Sequence, residues 1–173
     1  LSLFYMKAGT FFVRTWRILS IIGFVGSLFA SYISYPEEVA VRFDDLKQPI
    51  QTINRETIFY LSVAIFLIAN TVLRAISKLF LRVPTAQIPV PTGVWTSHRS
   101  LLNEIFTNWF YALIAAINTI LAMGLFVLSL VNRADRSLQP FDYAWLLPIS
   151  TVILIAVLAG LPIRLFMKPG DDD

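Results

Sequence analysis

The sequence predicts an all-α integral membrane protein: four transmembrane helices in an up-and-down bundle, with an ordered extracytoplasmic loop between the first two. Three observations carry that prediction. Four long apolar runs alternate with connectors that hold most of the charge. The 173 residues are 57% hydrophobic and 14% charged, against about 25% charged in a typical soluble domain. So much apolar surface needs a bilayer rather than water as its solvent. The basic residues are parcelled out between the runs, and with a net charge of only +3 this speaks against a nucleic-acid-binding face. A single membrane domain covers residues 1–173.

The first span is read at about 15–35, or from Phe11 if Arg14 and Arg17 snorkel; about 20 apolar residues are needed to cross. Lys7, Arg14 and Arg17 give it the look of a signal peptide, but Leu28 fits the −3 position of a cleavage site poorly, so the segment is expected to be retained. Gly23, Ser27 and Ser31 share one helical stripe, and Gly26, Ala30 and Ser34 the next. Small residues four apart admit a close helix neighbour. That neighbour is either a partner protein or another helix of the bundle, and packing within the bundle is the simpler expectation.

Residues 36–56, P-E-E-V-A-V-R-F-D-D-L-K-Q-P-I-Q-T-I-N-R-E, form the long charge-rich connector. V-A-V-R-F reads as a short extended piece and N-R-E-T as a helix cap, the whole making a folded lid over the helix ends. The second span is read at about 57–81. Arg74, Lys78 and Arg82 recur every four residues on a face leading out of the membrane, where lipid phosphates are their expected partners. Prolines 84, 89 and 91 forbid helix in the next connector, and Thr96 or Ser97 can cap the third span, about 105–130. A short polar loop at 132–143 leads to the fourth, about 145–167. There Pro148 suits the first turn and Pro162 should kink the end. The acidic tail 171–173 is expected to be exposed.

Placing both termini and the second connector in the cytoplasm puts nine basic residues inside: Lys7, Arg14, Arg17, Arg74, Lys78, Arg82, Arg99, Arg164 and Lys168. Five remain outside: Arg42, Lys47, Arg55, Arg133 and Arg136. That satisfies the positive-inside rule. Trp16 and Trp109 then fall in the inner aromatic belt, and Tyr35, Tyr60, Tyr143 and Trp145 in the outer one.

Few residues suggest chemistry. Asn70 and Asn118 lie near the middle of spans two and three in the similar runs I-A-N-T-V-L and A-I-N-T-I-L. At similar depth they can hydrogen-bond across a helix interface, either as glue or as a solute or ion site. Glu37, Glu38, Asp44 and Asp45 offer oxygen ligands, but without calcium-loop spacing or a loop glycine, and with Arg42 and Lys47 among them. His98 is the single histidine and there is no cysteine, so neither a metal cluster nor a nucleophilic triad is expected. No cofactor is expected, and the chain is read as non-catalytic.

The phrases Tyr35-Pro36-Glu37-Glu38-Val39, Val41-Arg42-Phe43-Asp44, Lys47-Gln48-Pro49 and Asn54-Arg55 resemble those of a bacterial membrane-protein family known as domain of unknown function 1648. That family includes immunity proteins against a sporulation-delaying toxin. The resemblance extends more weakly to I-P-V-P-T-G-V-W-T-S-H-R and spans roughly residues 15–130. Arg42 stands where relatives have histidine and Lys47 where they have glycine. The resemblance implies a bacterial inner-membrane protein and marks Pro36, Val39, Arg42, Phe43, Asp44, Pro49 and Arg55 as candidate partner- or ligand-contacting residues.

Three functions fit: an accessory, partner-binding subunit of a larger membrane assembly; a receptor- or immunity-type protein that binds an extracellular peptide or toxin through 36–56; or a small solute transporter using Asn70 and Asn118. The partners expected are membrane lipid and other integral membrane proteins, not nucleic acid.

Overall fold

The computed structural model describes residues 2–46, 48–88, 90, 94–132, 145–167 and 169, with side chains from residue 8 onward. The expectations for Lys47, Pro89, Pro91, Arg133, Arg136, Tyr143, Lys168 and the tail 171–173, and for the Lys7 side chain, lie outside what is described. The chain is mostly helical, with four helices long and apolar enough to cross a membrane: α1 (Ser2–Ser34), α2 (Arg55–Phe80), α3 (Arg99–Val131) and α4 (Leu146–Phe166). Two extend well beyond the expected spans. α1 is continuous from residue 2 and α3 begins at residue 99, and neither lead-in contains a proline to interrupt it. At 33 residues α3 is about 50 Å long. A hydrocarbon core of about 30 Å cannot cover it end to end.

The connection between α1 and α2 corrects the all-helical expectation. It is an antiparallel hairpin of β1 (Glu38–Phe43) and β2 (Pro49–Asn54), of which only the first strand was anticipated. Val39 lies opposite Ile53 and Phe43 opposite Pro49, with register irregularities on both sides of Arg42. The turn closes through Asp44, whose N–H donates to the Gln48 carbonyl (2.9 Å) and whose Oδ1 accepts from the Gln48 N–H (2.7 Å). Asn54 caps α2 as expected, its Oδ1 accepting from the Glu56 N–H (2.9 Å).

α3 is the hub. It packs most extensively on α1 and also on α2 and α4, whereas α1 and α2 touch little. One core joins Phe24, Leu28, Tyr35, Val39, Ile58 and Leu125 beneath the hairpin. A second gathers Ile88, Trp95, Leu101 and Leu102 at the opposite end. Phe24 stacks on Phe66 (centroids 4.4 Å apart) and Phe80 on Phe106 (3.8 Å).

The connector before α3 departs from expectation twice. A single 3₁₀ turn forms at Thr85–Gln87 directly after Pro84, a position where the fixed proline φ is compatible with a tight turn. The residue capping α3 is His98, not Thr96 or Ser97, and its side chain makes no capping hydrogen bond. α4 runs through Pro162 to Phe166.

Candidate functional site

The asparagines at the middle of the bundle meet. Asn70 Nδ2 donates to Asn118 Oδ1 (2.8 Å) and to the Phe66 carbonyl (2.8 Å). Asn118 Nδ2 donates back to Asn70 Oδ1 (3.3 Å) and to Ser20 Oγ (3.3 Å), and Ser20 in turn donates to the Arg17 carbonyl. Asn118 is 0% exposed. A buried amide needs such partners, because leaving one unpaired costs about 1–3 kcal/mol. α1, α2 and α3 are thus pinned at one level. Ser20 was not anticipated; its place one turn after Arg17 on the α3-facing stripe was the available signal. Arg17 lies over the Tyr111 ring (4.2 Å) with its Nε buried and unbonded.

The hairpin residues divide sharply. Val39 is 0% exposed, so its side chain belongs to the core and cannot contact a partner; this corrects its assignment as a binding residue. Pro36, Arg42 and Pro49 are exposed, Phe43 and Asp44 half-buried. Arg55 is half-buried, with its guanidinium 5.2 Å from the Tyr32 ring centroid. Leu46 and Ile50 are 81% and 55% exposed, an unusual apolar presentation for a charged connector. Asn132 anchors β1 like an extra strand residue. Its Oδ1 accepts from the Ala40 N–H (2.8 Å) and its Nδ2 donates to the Ala40 carbonyl (3.0 Å) and to that of Leu128 (2.9 Å).

The small residues of α1 also divide. Ser31 is buried and donates to the Leu125 carbonyl (3.3 Å), and Ser27 is half-buried. Gly23, Gly26 and Ala30 are exposed, and a methyl group built on either glycine would meet no atom within 4 Å. The expectation that this stripe packs inside the bundle is therefore wrong for these three. The 100° advance per residue carries Gly26 and Ala30 round the helix, away from the stripe that α3 covers.

Arg74 and Lys78 are exposed on α2 and Arg82 is exposed two residues past its end. Arg99, read only as one of the charges, is held by three side-chain hydrogen bonds. Its Nε donates to Asn103 Oδ1 (2.8 Å), Nη1 to Thr85 Oγ1 (3.3 Å) and Nη2 to the Phe80 carbonyl (3.1 Å). It therefore ties the start of α3 to the end of α2, at a carbonyl that also accepts from the Val83 N–H (3.1 Å).

A feature the sequence did not disclose is a mostly apolar cleft of about 330 Å³ between α1, α3 and α4. Gly9, Ala112, Ala156 and Gly160 open it, and its polar residues include Thr10, Glu104, Asn108 and Arg164. Thr10 Oγ1 donates to Glu104 Oε1 (2.7 Å) and accepts from Asn108 Nδ2 (2.8 Å). Arg164 sits over Trp95 (5.6 Å) and reaches the Met167 carbonyl (3.5 Å). Two indoles brace α4 here: Trp109 Nε1 donates to the Val157 carbonyl (2.8 Å) and Trp95 Nε1 to that of Leu165 (3.1 Å). Among the described residues no group of three His, Asp or Glu side chains is placed to hold a metal ion. His98 Nδ1 lies within hydrogen-bond distance of Ser97 Oγ and the Val94 carbonyl.

No family model matches the chain, and no curated protein or solved structure is similar to it.

Proposed function

We propose that the chain is a non-catalytic, multi-pass protein of a bacterial inner membrane that binds another integral membrane protein through the outward face of α1. The observation carrying this reading is the open space over Gly23 and Gly26, continued by exposed Ala30. Lipid tails gain little from a glycine surface, whereas a second helix approaches closely there and gains backbone packing. We also infer an up-and-down bundle with both termini cytoplasmic. Contacts climb together along α1 and α3, from Thr10–Glu104 through Ser20–Asn118 to Ser34–Ser129. They run oppositely along α2, from Phe66 near Phe24 to Phe80 on Phe106. The likeness to domain of unknown function 1648 adds the bacterial setting and rests on the connector phrases alone.

A photoreactive side chain at Ile22, 62% exposed, tests the idea in native membranes. One discrete protein adduct is expected, lost in Gly26→Leu and retained when the probe residue is paired with a control substitution at Leu158. A solitary monodisperse monomer in mild detergent, with lipid adducts alone, would refute it.

Exposed Leu46 and Ile50 favour a second reading, in which the hairpin binds an extracellular peptide by pairing along β2. Scrambling 44–50 should then abolish peptide binding while membrane insertion persists; survival of binding would remove it. No specific observation favours solute transport, since the Asn70 and Asn118 amides are occupied by one another, Ser20 and Phe66.

A further inference from the structure

The cleft between α1, α3 and α4 has a direction. Glu104 and Arg164 lie near the helix ends, five residues after the start of α3 and two before the end of α4. Ala112 and Ala156 are each eight residues deeper, about 12 Å at the helical rise. The lining thus grades from charged near the helix ends to apolar toward the bundle middle. No ion pair among the described residues joins Glu104 to Arg164: the acid holds Thr10 through one oxygen, and the base lies over Trp95. One carboxylate oxygen keeps its acceptor capacity. The space itself comes from small side chains, since a methyl group on Gly9 or Gly160 meets nothing within 4 Å.

We propose that this cleft is a lateral lipid site that takes one acyl chain of an aminophospholipid, with Glu104 facing its primary ammonium and Arg164 its phosphate. The volume of about 330 Å³ is at the low end of ligand clefts, about 300–1,000 Å³, which suits one chain rather than a whole lipid. Charge selects the headgroup. A phosphatidylglycerol headgroup would satisfy Arg164 but bring Glu104 only neutral hydroxyl donors and no cation, so the charge-assisted contact is lost. A choline headgroup carries a cation without an N–H, so it cannot hydrogen-bond the free carboxylate oxygen. A primary amine beside a phosphate satisfies both.

The full chain, reconstituted in vesicles of equal phosphatidylethanolamine, phosphatidylcholine and phosphatidylglycerol and then moved to mild detergent, would be read by native mass spectrometry. One retained phosphatidylethanolamine is expected, preferred by about tenfold over either competitor, the size of one charge-assisted contact. Gly160→Leu should fill the cleft and lose the lipid; Gly9→Leu, on the facing wall, serves if the first variant misfolds by circular dichroism. Glu104→Gln should leave a lipid bound with its preference for the ethanolamine over the choline headgroup reduced to less than about threefold. Gly23→Leu, outside the cleft, should change nothing, which separates this site from the proposed partner face. Equal retention of the three lipids by the wild type overturns the proposal. So does undiminished retention in a folded Gly160→Leu, or a crosslink from Ala156 to protein rather than lipid.

Discussion

Replacing Asn70 and Asn118 by leucine, singly and together, interrogates the polar junction while keeping the number and branching of side-chain heavy atoms. The pair shares two bonds, one near ideal length at 2.8 Å and one long at 3.3 Å. Interhelical hydrogen bonds in membranes average about 0.6 kcal/mol and reach about 1.7. A coupling of about 1 kcal/mol is therefore expected, with the double variant less destabilised than the sum of the singles. The singles should be unequal. Asn70→Leu strands Asn118 Oδ1, which is fully buried and has no other partner among the described residues, so the desolvation cost of about 1–3 kcal/mol applies. Asn118→Leu strands Asn70 Oδ1 on a half-buried residue whose amide nitrogen still reaches the Phe66 carbonyl; about 1 kcal/mol should follow. Unfolding in bicelles, followed by steric trapping, gives the four free energies. Additivity within about 0.3 kcal/mol, or a larger cost for Asn118→Leu, would refute the reasoning.

Asn132→Ala removes three hydrogen bonds and leaves the Ala40 backbone unpaired, so hydrogen exchange in β1 should accelerate by about 10-fold or more, as a loss of about 1–3 kcal/mol requires; β2 exchange gives the internal comparison. Arg99→Lys should destabilise by about 1 kcal/mol in thermal unfolding despite keeping the charge, because a lysine cannot bridge Asn103, Thr85 and the Phe80 carbonyl at once. Val39→Ala should cost about 2 kcal/mol from lost methyl burial and the cavity left behind, while Arg42→Ala, further along the same strand and exposed, should leave stability within about 0.5 kcal/mol.

How much of this was legible depended on whether a pattern repeats. Four long apolar runs announce four helices, because spanning a bilayer imposes a length and a composition that few other constraints imitate. The asparagine pairing was readable for the same reason: two isolated amides at equivalent depth have few other ways to be satisfied. The second strand was missed because P-I-Q-T-I-N is short, opens with proline and lies after an acidic turn, so it reads equally well as loop. Helical rotation defeated the reading of α1. Gly23 and Ser27 sit on one stripe, yet the stripe's edge decides which residue α3 covers, and only the packed neighbour sets that edge. Val39 was misassigned because a motif phrase says which residues belong together, not which of them point inward; the alternation in E-V-A-V-R-F placed Val39 and Val41 together against Arg42 and Glu38. The cleft had no sequence signal. It arises from glycines and alanines on two helices distant in sequence, and no local period encodes their meeting.

The polar bonds along α3 explain why so apolar a chain adopts one arrangement. Between helices in lipid, apolar contacts alone discriminate poorly, since a tail offers leucine much the same surroundings as another leucine. Each helix instead meets α3 through a different polar device at a different level. α1 is tied at Glu104 and Asn108 through Thr10, at Asn118 through Ser20, and at Leu125 through Ser31 and the Tyr35 hydroxyl (2.7 Å). α2 is fixed at Asn118 and again by Arg99. α4, with no buried residue of its own, is held by two indole donors from Trp95 and Trp109 to its carbonyls. Sliding any helix by one turn would break its own set without completing another's, so register is specified three times over by groups that make up a small part of the surface. The same logic locates the soft edge of the protein. α4 has no buried residue among those described and borders the cleft, and there the bundle leaves room for lipid to supply the packing that side chains do not.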